Sequence, residues 1–285
     1  MQGKFGRNYR LDIFTPQNKQ VTIEPPFSIQ FNLNRNVLSS ANRGEITLYN
    51  LGANTRNQIF KDRYSLVLDW PIALFAGYGN RLHKIFIGKI FEAYSYKQNT
   101  EWITKIAFFD GMGAIQNSFT SVTVDKNTTR EDIIKIVVAD MKGVDVGALG
   151  TPAQGEGSPR GKSLIGQTSE ILTTETDGKW FIDLAKINVL GENEVIEGRV
   201  IKLDPDDLLS TPRRRETFLD VSVLFEPQIE VGHIYEIESL EPKYNGQFKV
   251  LGFKHNVTIS SAAAGNAITD IVLQFGASGL QEVAG

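Results

Sequence analysis

The chain contains no cysteine. This excludes a disulfide framework and a thiolate zinc site. Histidine is nearly as scarce: His83, His233 and His255 are the only three, scattered along 285 residues. No two of them stand at the helical spacing of a metalloenzyme motif. No apolar run approaches the ~20 residues that cross a bilayer, so membrane insertion is not expected. Met1 to Arg7 lacks the apolar centre of a secretion signal, and no cleaved leader is expected. Neither charge sign dominates, with 30 Lys and Arg against 33 Asp and Glu. Specific nucleic-acid binding is therefore not expected. A Gly-x-Ser-x-Gly nucleophile elbow is missing, and no short repeat points to a solenoid.

What is present is strand. Hydrophobic residues make up 41% of the chain and charged ones 22%, ordinary for a protein with real cores. Tyr9, Leu11 and Ile13 alternate with Arg10 and Asp12, and Val21 and Ile23 continue after a turn at Pro16–Lys19. Phe27, Ile29, Phe31 and Leu33 alternate with Ser28, Gln30, Asn32 and Asn34. That run predicts one core face and one wet, amide-rich face. Ile46–Tyr49 alternates again and breaks at Asn50–Gly52, where Asn54 and Thr55 offer a cap for a short helix reaching Ile59 and Phe60. Further strands are expected near residues 65–68, 75–79, 85–90, 92–96 and 102–108.

The period changes near residue 125. Thr128 to Glu131 matches a capping box, and Ile133, Ile134, Val137 and Met141 mark a helical face. Residues 147–161 read as a Gly-, Pro- and Ser-rich loop. A second helix is expected over 164–176 with Ile165, Ile171 and Leu172 inward, then a hairpin of Trp180–Ile182 and Ile187–Leu190. From Arg215 onward five strands recur, marked by Leu219–Phe225, Tyr235–Ile237, Phe248–His255, Val257–Ile259 and Ile268–Leu273. The pattern predicts a mainly β chain with an α/β insert: a β-barrel domain over 1–122, an α/β middle unit over 123–212, a second small barrel over 213–279 and a tail over 280–285.

Four local patterns could carry chemistry. Gly155–Ser163 resembles a phosphate loop, but Gly155 lies one residue too far from Gly161-Lys162-Ser163 and Gly157 one too near, and Pro159 removes an N–H. A surface loop fits better. Asp204, Asp206 and Asp207 lack the ligand spacing for calcium and read as a turn around Pro205. His255, beside Lys254 and Asn256, reads as a sheet-surface residue. Arg213, Arg214 and Arg215 after Pro212 read as a solvated loop, with contact to an acidic patch on a partner subunit as the sharper alternative. No catalytic residue, metal site or cofactor is expected.

Taken together, four pieces resemble the baseplate hub proteins of phage tails and their relatives in the spike proteins of contractile injection systems. They are Ile46–Leu51; Ala76–Tyr78 with Ile85–Ile90 and Asp110-Gly111; Gly178–Asp183 after a helix; and Leu224–Pro227 with Val231-Gly232, Asn245–Val250 and His255. The chain departs from that pattern at Ser260–Ala264 and at Asp206–Leu209. The resemblance implies a non-enzymatic homotrimer in which two similar barrels per subunit make a six-fold-like ring. Such a ring would join a hexameric tail tube to a trimeric spike, in the tail baseplate of a virion assembled in the host cytoplasm. Gln30 and Asn32 on the wet face, and Arg213 to Arg215, would be partner contacts. The rival readings are a stand-alone binding module, with Trp102 or Tyr94 as glycan-stacking platforms, and a cell-wall hydrolase using a carboxylate pair.

Overall fold

The computed structural model describes residues 4–16, 19–65, 70–155, 160–198, 200–261, 265–276 and 279–285. The first part runs β1 (Arg7–Phe14), β2 (Gln20–Ile23), β3 (Ile29–Asn36), β4 (Asn42–Tyr49), α1 (Ala53–Ile59), β5 (Pro71–Tyr78), β6 (Arg81–Gln98) and β7 (Glu101–Asp110). The middle holds α2 (Met112–Asn117), β8 (Phe119–Val124), α3 (Arg130–Ala139), β9 (Asp145–Leu149), β10 (Lys162–Gln167), α4 (Thr168–Glu175), β11 (Trp180–Asp183), β12 (Lys186–Val189) and β13 (Glu194–Ile196). The last part holds β14 (Ile201–Leu203), β15 (Arg213–Arg215), β16 (Phe218–Leu224), β17 (Ile234–Ile237), β18 (Gly246–Ile259), β19 (Ala267–Gln274) and β20 (Gln281–Val283).

The fold is mainly β, as the alternation predicts, but its first and last parts share one sheet. The strand order is β15-β16-β19-β18-β3-β4-β7-β6-β5-β1-β2, with β17 beside β18 and β14 beside β17. The shared strand is β18. Its first residues pair with β17, and Gly252–Ile259 pair with β3, while β19 runs along its other edge. The two strands expected over 248–255 and 257–259 are thus one. Phe253, His255, Val257 and Ile259 keep a single inward phase, and the ladder to β3 runs unbroken from Gly252 to Ile259.

No ring of strands closes by backbone pairing among the described residues. Instead the first part curls until β1 reaches the end of β18. There Arg7 Nη1 donates to the carbonyls of Thr258 at 2.9 Å and Asn266 at 3.0 Å. From β5, the Tyr78 hydroxyl donates to the carbonyl of Phe225 at 2.8 Å. Side chains, not a ladder, bridge this seam. Within the curl, Leu11, Phe31, Leu33, Ile46, Leu74, Phe86 and Phe108 form one core. Each contributes roughly 1.5–3 kcal/mol on full burial. Gly44 on β4 is needed there, because a Cβ would meet the Phe108 ring at 2.3 Å.

A second core collects Leu219, Val221, Val223, Tyr235, Val250 and Ile271, and a third packs Ile133, Ile134, Val137, Leu172, Trp180 and Ile187 in the α/β middle. Pairing crosses the expected divisions: β14 pairs with β17, and β20, in the expected tail, pairs with β13.

Several local expectations shift. Helix α1 starts one residue before Asn54, capped by Gly52 without a side-chain bond. The cap of α3 is Thr129, not Thr128, and its hydroxyl accepts from Asp132 N at 3.1 Å. The helix expected from Leu164 begins only at Thr168. Residues Lys162–Gln167 pair with β8 instead, and Gly166 sits at φ +150°, which a helix does not admit. Ile165, expected inward, is consequently 68% exposed. Residues 66–68 and 262–264, and part of the 147–161 loop, lie outside the described residues.

Candidate interaction face and its buried junction

Strand register builds the candidate face. Gln30 stands opposite Thr47 on β4 and Thr258 on β18, and Asn32 opposite Glu45 and Asn256. The rows continue to Lys105 and Ala107 on β7, then to Tyr94 and Glu92 on β6. On the other side Lys254 faces Asp270, and Asp270 faces Ser222, whose hydroxyl donates to it at 2.6 Å. One polar face therefore crosses from β6 to β16 without a break where the two parts of the chain meet. Gln30 is exposed on it and Asn32 half-buried.

The arginines lie elsewhere. Arg213, Arg214 and Arg215 form β15, an edge strand separated from β3 by β16, β19 and β18. The solvated-loop reading is therefore replaced by a paired strand, because Leu219 and its neighbours on β16 extend far enough to hold it. Arg215 makes two bonds to Asp220, one from Nη2 at 2.7 Å, and holds the Asp220 carboxyl below its usual range. Arg214 lies over the Phe275 ring at 4.4 Å.

Behind the polar face is a buried polar junction that the sequence reading missed. Arg35 continues the inward phase of β3 after Phe31 and Leu33, and it is fully buried. Its Nε and Nη2 donate to Asp183 on β11 at 2.7 and 2.5 Å, and its Nη1 to the Ile85 carbonyl at 2.9 Å. Asn42 on β4 donates to the Ile182 carbonyl at 2.8 Å. Next to the pair, Asp110 accepts from Ala185 N at 3.2 Å. Burial first, then repulsion from Asp183, pushes the Asp110 carboxyl up to about 7. The turn it holds, Leu184-Ala185, places both residues at positive φ, 49° and 60°, without a glycine. A buried charge survives only when paired and hydrogen-bonded. This one fixes the middle unit against β3, β4 and β7.

His255 is not on the surface. Its ring is fully buried between Phe225 and Phe253, with Nδ1 2.9 Å from the Thr269 hydroxyl. Strand alternation gives the reason: Lys254 and Asn256 are wet, so the residue between them points inward. Burial pushes its pKa down to about 3. Asp204 accepts from Asp206 N at 3.0 Å as a turn cap, and Asp207 pairs with Lys4 at 2.8 Å. Lys162 pairs with Glu175 at 2.7 Å. Among the described residues, no three His, Asp or Glu groups come together as metal ligands.

The family model described as baseplate hub gp41 matches residues 12–263. The chain belongs to the baseplate hub gp41 family. It is thus a structural component of a phage tail. Solved structures share the fold at low identity. A 43 kDa tail protein of prophage MuSo2 from Shewanella oneidensis is 8% identical at a TM-score of 0.60, with 93% of this chain and 96% of that one covered. A tail protein from Neisseria meningitidis MC58 is 11% identical at 0.57, with 95% and 97% covered. A component of the E. coli type VI secretion system is 10% identical at 0.55, with 87% and 73% covered. No curated protein matches in sequence.

Proposed function

We propose that this hub-family chain is a non-enzymatic structural hub of which three copies close a ring, joining a hexameric tail tube to a trimeric central spike. The observation that carries this reading is the single sheet, in which two β parts present one polar face. Three such chains supply six β units, which reconciles six-fold with three-fold symmetry. The family and the shared tail-protein fold support it. In this reading the units span 1–122, 123–212 and 213–279, with a short tail, and each β unit contributes one barrel wall to the ring. The ring sits in the virion baseplate and is assembled in the host cytoplasm. Copies meet at the sheet edges β2 and β15, because an open edge otherwise recruits unwanted strands. Arg213 to Arg215 then form a cationic rim, and Gln30 and Asn32 line the channel or a subunit contact.

The test is a pair of charge substitutions, Gln30→Lys with Asn32→Lys. Both positions lie on the polar face of β3, Gln30 exposed and Asn32 half-buried, so the chain is expected to fold with an unchanged Tm while ring assembly and infectivity are lost. Intact assembly would overturn the assignment of this face. A glycan-binding module fits less well, because the Trp102 ring is already covered by Arg56 at 3.7 Å, and Tyr94 stacks on Tyr96.

A further inference from the structure

Two cavities adjoin where the three parts of the chain meet. One, of about 330 Å³, is lined by Lys4, Phe5, Arg81 and Glu226, among others. The other, of about 490 Å³, is lined by Lys84, Leu184, Ile201, Glu230, His233 and Tyr235, among others. They share a wall of His83, Pro227 and Gln228, so together they form one elongated groove. Its floor includes Leu184, from the turn that Asp110 holds, which ties the groove to the rigid Arg35–Asp183 junction.

Three observations point to an occupant. First, the groove runs past an open strand edge. β6 pairs with β7 only from Lys89 onward, so over Arg81–Lys84 its edge away from β5 is unpaired among the described residues. β14, on the far side through Ile201, likewise pairs only with β17. Second, Tyr235 is 99% buried and its hydroxyl has no hydrogen-bond partner among the described residues. An unpaired buried hydroxyl is costly unless something accepts from it or donates to it. Third, Arg81 and Lys84 on this edge are exposed cations with no ion pair among the described residues, whereas Lys4 is taken up by Asp207 and Glu226. Along the open edge itself, over Arg81–Lys84, the unpaired charges are positive.

We infer that this groove docks an extended segment of a partner chain that carries acidic side chains, added as a strand along the open edge of β6. Backbone pairing with β6 supplies affinity, the carboxylates meet Arg81 and Lys84, and the segment's backbone or side chain satisfies Tyr235. The inference concerns a single chain and stands apart from the ring reading.

The test uses the full chain and a fluorescein-labelled, capped Val-Glu-Val-Val-Glu-Val peptide, whose two carboxylates fall on opposite faces of an extended strand as Arg81 and Lys84 do on β6, followed by fluorescence anisotropy, with the Gln-for-Glu peptide beside it. The chain is expected to bind the acidic peptide and to bind the glutamine peptide about ten-fold more weakly. Arg81→Ala with Lys84→Ala should weaken binding of the acidic peptide by a similar factor, the sum of two exposed charge pairs. Tyr235→Phe keeps the ring and is expected to weaken binding several-fold without lowering Tm. No binding of the acidic peptide, equal binding of both peptides, or binding indifferent to Arg81 and Lys84 would each overturn the proposal.

Discussion

Arg35 with Asp183 and Arg215 with Asp220 are both guanidinium–carboxylate pairs held by two bonds, one sealed between units and the other on an exposed edge strand. Water solvates the Arg215 pair whether or not it forms, so it adds little to the fold. The Arg35 pair has no such alternative. Two buried charges 148 residues apart in sequence must meet, or each stands uncompensated in an apolar surround. The buried pair therefore fixes how the middle unit sits on the sheet, whereas the exposed pair leaves a cationic rim facing outward.

The largest expected effect breaks the buried pair on one side. Asp183→Ala should cost about 3–5 kcal/mol, because it strands the Arg35 charge. Arg35→Met combined with Asp183→Leu should recover most of that loss. Urea unfolding of the three variants checks this, and additive losses in the double variant would contradict the account.

The next effect concerns Asp110, which faces Asp183 and Arg35. Its folded pKa of about 7 lies above that of the unfolded chain, so the native state holds the proton more tightly. Asp110 therefore contributes stability that is full below the unfolded value near 4 and is lost as pH rises through about 7. Asp110→Asn should remove this decline, a difference of order 2–4 kcal/mol between pH 4 and pH 8. Thermal melts of both proteins across that range would show parallel curves if the assignment is wrong.

The smallest effect is at the edge. Arg215→Ala should leave Tm unchanged within error. If β15 is a contact between copies, the same variant should make assembly less stable and less sensitive to salt. A clear fall in Tm would erase the contrast between the two pairs.

Much of the fold was legible because period-two alternation depends only on which face is wet. It marked β1, β3, β4, β7 and β16 from single runs. The buried junction was half legible. Carrying the phase of Ile29, Phe31 and Leu33 one step further puts Arg35 inside, but its partner Asp183 comes from another unit, and no local pattern announces that meeting. His255 is legible only through alternation: its wet neighbours mark the opposite face and so put it inside. Ile165 was misplaced because Leu164, Ile171 and Leu172 fit a helical stripe, while the pairing that made Lys162–Gln167 a strand lies on β8, about forty residues earlier. The continuity of the sheet through β18 was hidden for the same reason: alternation gives a strand its faces but does not name its neighbours.

The measurement that bears most directly on the hub reading is native mass by light scattering, alone and with the neighbouring spike protein present, with negative-stain images of the same samples. The account predicts a particle of three times the 31.7 kDa chain mass, seen as a ring with a central opening, at the latest once the spike is added. A chain that stays monomeric with the spike present would contradict it.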